Sequence, residues 1–435
     1  EEQLRDLLHA ARPDLVISIS SEVSPEAREF DRLCTTIANA YIQPMMSRYL
    51  DAFEARFVAE GLTCPILMMT AGGGMTTLKT AAQFPIRLVE SGPAGGAILA
   101  AHIAAESGLD EVLSFDMGGT TAKLCLIDNA QPQSSRQFEI GRAARFIKGS
   151  GMPVRIPVIE MIEIGAGGGS IAGVDRLGRL TVGPKSAGSE PGPVAFGRGG
   201  EEPTVSDADI ALGYIQAETF AEGQFQIDVA AARLALTATI GEQLGLDAFG
   251  AGDGVSRIVD ESMASAGRTH AVESGKDLGP RTMIAFGGNG PLHACRVARS
   301  AGIDRILVPA NPGVGSAVGF LFAPVSFEIV RSRYEILQTI DLDAINTMFE
   351  SMSAEALSVV RQGDATSIIE TRRIAYMRYH GQGHEIEIAL PDQALTADDL
   401  APLAAAFEKA YSRQFSRPVP GMVIEILNWS VHIAA

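Results

Sequence analysis

Residues 113–128 read LSFDMGGTTAKLCLID, and this stretch decides how the rest of the chain is interpreted. A short apolar run leads to Asp116, the pair Gly118-Gly119 follows, and a second apolar run leaves after Lys123. Two apolar runs around a Gly-Gly pair predict two antiparallel strands that are joined by a tight turn. The other elements are placed relative to this hairpin.

The turn of the hairpin has the residue types of a phosphate-binding site. Glycine lets backbone N–H groups approach an anion closely, and the hydroxyls of Thr120 and Thr121 are further donors. Asp116 can hold a metal ion or orient a water, so it is our candidate catalytic and metal-binding residue. Lys123 is either a phosphate contact or the partner in a surface salt bridge. The alternative is an ordinary hairpin, since Gly-Gly is also common in structural turns.

Length and charge limit the classes of protein. A chain of 435 residues can bury a large core and suggests two or three domains. The formal net charge of −17 argues against a broad basic face for nucleic acid or for an anionic membrane. Small molecules and other proteins are the expected partners.

The cysteines and the apolar runs indicate a cytoplasmic protein. Cys34, Cys64, Cys125 and Cys295 lie far apart without a C-x-x-C pair, so neither a zinc ribbon nor a disulfide framework is predicted. No segment approaches about 18 uninterrupted apolar residues, and no charged-then-apolar leader opens the chain. The first residues, EEQLRDLLHAARPD, have the pattern of the interior of an amphipathic helix, so the chain is expected to begin inside a domain.

Three stretches predict a strand, then a glycine loop, then in two cases a helix. The predicted strands are 65–69, 87–89 and 282–286, and their loops are 71–74, 90–96 and 287–291. A strand at 15–20 and a long helix at 33–57 come before them. A glycine-rich turn from strand to helix directs free N–H groups at a ligand, although close packing of small residues is the alternative.

Several other segments carry predictions of their own. Residues 130–155 are polar and are interpreted as a solvated surface or flap; their cations are Arg136, Arg142, Arg145, Lys148 and Arg155.

The Gly- and Pro-rich residues 182–200 predict a long functional loop. A helix after Pro203 is predicted to be capped by Ser206 or Asp207. Glu160 and Glu163 lie three apart, so on a strand they face opposite sides and do not share a site.

The end of the chain predicts a small α+β domain. Helices are expected at 337–361 and 397–415, with alternating strands at 373–379 and 386–390 between them. His293, beside the loop 287–291, is interpreted as a structural hydrogen-bonding residue in preference to a catalytic one. For His380 and His384 we prefer a contact with a partner subunit over a metal site.

Six motifs together resemble one family. They are FDMGGTTAK at 115–123, ESGPAGG at 90–96, IGAGGGSIA at 164–172, VGPKSAGSEPGP at 182–193, GRGGEEPTVSDAD at 197–209 and FGGNGPLHA at 286–294. In this order they resemble the A-type subunits of the hydantoinase/oxoprolinase family, which include the N-methylhydantoinase A and acetone carboxylase β-subunit branches. The resemblance covers essentially the whole chain.

The resemblance implies an α/β, actin-like ATPase (ribonuclease H-like) fold with a small C-terminal α+β domain. The expected divisions are 1–110, the end of a first half; 111–334, a second half; and 335–435. ATP and Mg²⁺ are expected in a cleft, with Gly118, Gly119, Thr120, Thr121 and Lys123 at the phosphates and Asp116 at the metal. Gly287, Gly288 and Gly290 are expected beside the adenosine.

The implied activity uses ATP to phosphorylate the carbonyl or enolate oxygen of a cyclic amide or ketone, for hydrolysis or carboxylation with a B-type partner subunit. A non-catalytic nucleotide-binding regulatory subunit and an actin-like small-molecule kinase are the alternatives. Family members normally begin with another D-x-G-G-T loop, and this chain contains one such hairpin. We therefore expect the first phosphate loop to be absent. Glu160-Met161-Ile162 replaces an Asp-x-His pair of some relatives, so no metal is carried over to it.

Overall fold

The computed structural model describes residues 1–141 and 149–435. The helices are α1 Glu2–Ala11, α2 Ser20–Val23, α3 Glu29–Ala59, α4 Leu78–Gln83, α5 Ser91–Glu106, α6 Val205–Ala211, α7 Val229–Leu236, α8 Glu242–Leu244, α9 Ala248–Glu273, α10 Gly290–Ala301, α11 Gly315–Gly319, α12 Leu342–Gly363 and α13 Leu400–Phe415. The strands are β1 Leu67–Met69, β2 Met75–Thr77, β3 Glu111–Met117, β4 Ala122–Asp128, β5 Gln131–Pro132, β6 Ser134–Ile140, β7 Met152–Ile159, β8 Ile162–Ile164, β9 Ser170–Val174, β10 Leu180–Ser186, β11 Thr282–Phe286, β12 Arg305–Leu307, β13 Ser326–Ile336, β14 Glu370–Tyr379, β15 Ile386–Leu390 and β16 Ile424–Ala434.

The chain divides into two compact units, each assembled from separate segments. Unit 1 contains residues 1–94, 134–158 and 323–435, and unit 2 contains residues 95–133 and 159–322. The three divisions expected from the sequence stay a prediction. Within the described ranges, no helix combines the length and the apolar character that crossing a membrane requires.

The predicted hairpin lies in the central sheet of unit 2. Strands β3 and β4 pair antiparallel, with Asp116 opposite Lys123, and β3 pairs parallel with β11. The sheet order is β12-β11-β3-β4-β5, and β8 also pairs with β4. Leu113, Phe115 and Met117 are buried along one side of β3, and Val112 and Ser114 are buried on the other, which explains why apolar residues occur on both faces of this strand.

The core of unit 2 forms where helices cover this sheet. Leu124 and Leu126 of β4 belong to the same buried cluster as Val255, Val259 and Met263 of α9. Helix α10 adds Val297 to that cluster. The carboxyl end of β3 is therefore supported by the packed core of unit 2.

The C-terminal sheet of unit 1 confirms the predicted small α+β part. Its order is β13-β16-β14-β15, and every pair is antiparallel. One face packs on α12 and α13, where Trp429 meets Phe349 edge-to-face with ring centroids 5.7 Å apart. The predicted strands 373–379 and 386–390 and the helix near residue 400 are all present.

Two of the predicted strands are wrong. Residues 15–19 are irregular and lead into α2, and Leu15 and Val16 are exposed, so only Ile19 of this run is buried. Residues Pro85–Leu88 form a 3₁₀ helix that starts at the proline, and Ala71 N–H donates to the Arg87 carbonyl. Short apolar runs do not distinguish strands from irregular buried segments, because pairing partners come from elsewhere.

The interpretation of residues 130–155 as a solvated flap is wrong for the two arginines that the structure describes. Arg136 lies 2.7 Å from Glu328, and Arg155 lies 3.0 Å from Asp31. Their side chains are only 12% and 9% exposed. The carboxylates come from distant segments of unit 1, so local polarity could not reveal the pairs. Arg142, Arg145 and Lys148 lie outside the described residues.

Two local predictions around α6 need correction. The start of the predicted loop 182–200 is strand β10, which pairs with β9. The N-cap of α6 is Thr204, whose hydroxyl accepts a bond from Asp207 N–H at 3.3 Å while the Asp207 carboxylate accepts from Thr204 N–H at 2.8 Å. This reciprocal capping box places the cap two residues before Ser206.

Candidate functional site

The hairpin turn exposes backbone donors at the end of β3. Gly118 N–H donates to the Thr121 carbonyl at 3.0 Å and closes the turn. Gly119 and Thr120 are exposed, and within the described part of the chain their N–H groups have no hydrogen-bond partner. A Cβ added at Gly119 would meet nothing within 4 Å. The turn therefore offers free donors beside open space.

Asp116 lies half-buried at the base of this turn. Its Oδ2 accepts a hydrogen bond from Ser316 Oγ at 2.8 Å. Gly287, at φ +86, passes so close that an added Cβ would collide with Asp116 Oδ1 and with the Met117 carbonyl. Only glycine fits this position, because of both the space and the backbone conformation.

The loop 287–290 contacts the hairpin turn directly. Asn289 N–H donates to the Met117 carbonyl at 2.9 Å, and the Asn289 side-chain amide donates to the Gly118 carbonyl at 3.1 Å. Gly288 is exposed, and among the described residues its N–H has no partner. Gly290 is buried at the start of α10. The structure thus brings together the two glycine groups predicted from the sequence.

A third glycine loop, residues 165–170, holds the turn from behind. Gly168 and Gly169 N–H groups donate to the Gly118 and Gly119 carbonyls at 3.1 and 2.6 Å. An added Cβ at Gly167 would lie 2.7 Å from backbone atoms of Gly119 and Thr120. These two N–H groups already donate hydrogen bonds within the protein. The loop therefore supports the turn, and these N–H groups do not bind an anion.

Lys123 shares its charge with a neighbouring strand. Its Nζ lies 3.1 Å from Glu163 Oε1 on β8 and donates to Thr121 Oγ1 at 2.7 Å. Glu160 instead accepts a hydrogen bond from Gln133 at 2.8 Å, so the two glutamates have separate partners. A phosphate contact by Lys123 stays a prediction.

A buried histidine lies behind the loops. The two ring nitrogens of His293 lie 2.6 Å from Asp260 and 3.1 Å from Asp209. Burial lowers the pKa of His293, but the hydrogen bonds to Asp209 and Asp260 outweigh it and raise the pKa to about 9. The structural hydrogen bond predicted for His293 is therefore present, in the form of a charged bridge.

The other predicted histidines are separate from this site. His380 Nδ1 lies 2.7 Å from Glu425, and His384 Nε2 lies 3.0 Å from the Gln414 amide. Over residues 1–141 and 149–435 no group of three His, Cys, Asp or Glu side chains is arranged to hold a metal ion. Their contact with a partner subunit stays a prediction.

Sequence reasoning missed several residues of the site. Ser316 was not singled out, because it is 200 residues from Asp116 and its segment carries no chemical signature. Asn289 could have been singled out from the sequence, since it is the one amide side chain in the predicted strand-associated glycine loops 71–74, 90–96 and 287–291. His293 bonds Asp209 and Asp260, and the sequence could not identify these two partners, because helical spacing does not show which helices pack together.

Comparison with known proteins identifies the family. The family described as "Hydantoinase/oxoprolinase" matches residues 32–329, and its "Hydantoinase/oxoprolinase C-terminal domain" matches residues 337–419. The caprolactamase subunit alpha of Pseudomonas jessenii is 30% identical over 441 residues, covering 100% of this chain and 62% of that protein. The acetone carboxylase beta subunit of Xanthobacter autotrophicus is 27% identical over 433 residues, covering 96% and 59%.

A solved structure supports the same conclusion. The crystal structure of the ATP-dependent caprolactamase from Pseudomonas jessenii matches with a TM-score of 0.84 and 30% identity, over 100% of this chain and 62% of that one. The chain thus spans about three fifths of the length of these relatives. The fold class expected from the motifs, a mixed α/β actin-like ATPase fold with a small C-terminal α+β domain, is confirmed, and the chain belongs to the hydantoinase/oxoprolinase family.

Proposed function

We propose that this chain is the nucleotide-binding part of an ATP-dependent enzyme that activates a cyclic amide or a carbonyl compound. The names of the relatives support this class, since one is a caprolactamase subunit and another an acetone carboxylase subunit. The single observation that carries the proposal is that Gly119, Thr120 and Gly288, near the Asp116 carboxylate, are exposed and that their N–H groups have no partner in the described part of the chain.

These donors suit an anion that is rich in oxygen. Backbone N–H groups in a turn form an anion-binding concavity, and they need no side-chain rearrangement to neutralise charge that develops during a reaction. The rear of the turn is held by Gly168, Gly169 and Asn289, all of which bond its carbonyls. The donors are therefore held in a defined direction.

The residues also fit a nucleotide that carries Mg²⁺. Asp116 has one oxygen bonded to Ser316 and its other oxygen next to the path of Gly287, where a side chain would collide with it. Carboxylate oxygen is the ligand type that Mg²⁺ prefers, so Asp116 would hold the ion directly or through a water. ATP supplies the phosphoryl group that converts a carbonyl or enolate oxygen into a leaving group.

In this proposal each group of the chain has one task. Gly119, Thr120 and Gly288 bind phosphate oxygens, Asp116 holds the metal or orients a water, and Lys123 adds positive charge at the side of the turn. Gly287 lets the second loop approach the first closely, since a side chain there would collide with Asp116. The adenosine lies beside that second loop.

The proposal extends to a partner and a location. The relatives named as subunits support a B-type partner that completes hydrolysis or carboxylation. The substrate in this proposal is a cyclic amide or a ketone, the class that the names of the relatives suggest. The cytoplasm stays the predicted location.

The test replaces the carboxylate of Asp116 by an amide. Asp116→Asn keeps an oxygen for Ser316, so we expect a normal fold and a turnover of ATP at least about tenfold lower, equivalent to about 1.4 kcal/mol of barrier. The assay uses the intact protein with its co-expressed partner, and hydantoin, 5-oxoproline, caprolactam or acetone as substrate. Mass spectrometry identifies the product.

Asp253→Asn is the matched control. Asp253 lies on α9 and pairs with Arg257 at 2.7 Å on the surface, so its loss should leave turnover unchanged. Unchanged turnover in a normally folded Asp116→Asn protein would contradict the proposal. ATP binding without turnover for any substrate would instead favour the regulatory subunit, and a stable phosphorylated product would favour the kinase.

A further inference from the structure

Three helices of unit 2 meet at a buried charged cluster. His293 of α10 is fully buried and bonds Asp260 of α9 and Asp209 of α6, at 2.6 and 3.1 Å. The two carboxylates are 4% and 0% exposed. A single ring therefore connects all three helices in the buried interior of unit 2.

The two carboxylates depend on His293 to different degrees. Asp260 also accepts from Arg296 Nε at 2.5 Å, and Arg296 reaches Tyr214 and Ser256. Among the described residues, Asp209 pairs with no second cation, and its buried Oδ1 has no hydrogen-bond partner. An uncompensated buried carboxylate is costly, and His293 is the group that offsets the burial of Asp209.

Two of these helices begin at the loops of the candidate site. In the first turn of α6, Ser206 N–H donates to the Gly168 carbonyl at 2.7 Å. Immediately before α10, Asn289 bonds the Gly118 carbonyl. A Cβ at Gly168 would collide with the side chains of both Ser206 and Asn289, so the three groups are in tight contact. Any shift between α6 and α10 therefore reaches the turn.

The charge of the ring is present at neutral pH. The pKa of His293, about 9 in the folded protein, exceeds the ordinary value of 6.5. The stabilisation from the imidazolium is therefore complete below pH 6.5 and is lost as the pH rises through about 9. The groups that face it are Asp209, Asp260 and, on its own helix, Arg296.

We propose that His293 is a positioning residue for nucleotide binding. Its bridge from α10 to α6 and α9 fixes the loop 287–290 and the loop 165–170 at the spacing that the turn 118–121 requires. This role rests on the proposed function, because it concerns the affinity of the same site for ATP. His293 itself does not touch the nucleotide.

The experiment compares charge-matched variants of the intact protein by calorimetric titration with ATP at pH 7. His293→Gln should weaken ATP binding by about tenfold, since Asp209 loses the one cation that pairs with it among the described residues. His293→Gln with Asp209→Asn removes the orphaned charge as well and should return to within about threefold of the wild type. His293→Gln with Asp260→Asn is the control, and it should stay weak because Asp209 is still uncompensated.

The pH profile of the wild type needs no substitution. Its dissociation constant for ATP should be steady at neutral pH and should rise above pH 9, whereas the variant with both His293→Gln and Asp209→Asn should lack this rise. Equal affinity of folded His293→Gln and wild type, or equal recovery in the two double variants, would overturn the proposal.

Thermal unfolding separates this inference from the proposed function. A wild type that binds no ATP removes the proposed function and the positioning role together. The charged bridge still predicts an unfolding temperature that falls from neutral to alkaline pH in the wild type and not in the charge-matched variant. The unfolding temperature could fall at alkaline pH while the ATP affinity stays constant. The bridge would then stabilise the fold only, and its role in positioning would be overturned.

Discussion

Two glycine loops at the same turn use glycine in opposite ways. At 118–120 the turn leaves the N–H groups of Gly119 and Thr120 exposed without partners among the described residues. At 165–170 the N–H groups of Gly168 and Gly169 bond the carbonyls of that turn. One loop offers donors to a ligand, and the other holds the first loop in place.

The difference teaches how to interpret a glycine-rich motif. An anion site requires N–H groups that the protein has left free, and a supporting loop requires only that backbones approach closely. Both uses favour glycine, so the sequence patterns look alike. Alanine substitutions distinguish them, because a methyl group affects folding in a supporting loop and ligand binding in an open one.

The largest effect is expected at Gly167. Its added Cβ would lie 2.7 Å from the carbonyl carbon and oxygen of Gly119 and from the Thr120 carbonyl carbon, all of which are backbone atoms. Backbone cannot rotate aside as a long side chain can, so Gly167→Ala should destabilise the protein by about 1–3 kcal/mol. The shift of the thermal unfolding midpoint measures this.

Gly173→Ala is the matched control for that prediction. Gly173 lies on β9, next along the chain, and its added Cβ would meet nothing within 4 Å. Its unfolding midpoint should equal that of the wild type. Equal midpoints for both alanine variants would show that the 165–170 loop adapts and does not support the turn.

An intermediate effect is expected at Gly119, and it should appear in binding. A Cβ there meets no protein atom within 4 Å, so Gly119→Ala should unfold at the wild-type temperature. The methyl group would occupy space that the phosphates require, and the dissociation constant for ATP should rise by about threefold to tenfold. Calorimetric titration of the intact protein measures it. A destabilised variant that binds ATP normally would reverse the comparison between the two loops.

The smallest effect is expected at Lys123, which stands beside both loops. Its ammonium is 3.1 Å from Glu163, so only part of its charge acts on a phosphate. Lys123→Met keeps the length of the side chain and should weaken ATP binding by about threefold. Glu163→Gln removes the carboxylate that pairs with the ammonium and should strengthen ATP binding. Unchanged affinity in both variants would leave Lys123 with only the salt bridge.

The fold was predictable where the pattern is local. The hairpin of β3 and β4, the helix α3 and the strand β11 with its loop all follow from apolar periodicity and glycine placement. The predicted strand at 15–20 was wrong because a strand needs a neighbour to pair with, and α2 occupies the end of that run. Strand pairing is a long-range property that a local pattern does not contain.

The geometry of the candidate site was predictable to a similar extent. Asp116, Gly119 and Gly288 were recognisable because a turn with these residues exposes donors for a chemical reason that operates over a few residues. Ser316, which bonds Asp116, was not recognisable, since a hydroxyl in a small-residue segment has no local signature. Arg136 and Arg155 looked solvated for the same reason: their partners lie far away in the chain.

The sequence by itself determined the hairpin, the order of the glycine loops and the family, because each of these depends on residue types at short, defined spacing. Only the tertiary structure decided which N–H groups stay free and which are consumed, and that His293 carries a charge between Asp209 and Asp260. Hydrogen-bond partners and buried charges depend on segments that packing brings together, and the free energy of a donor or a carboxylate is set by what surrounds it.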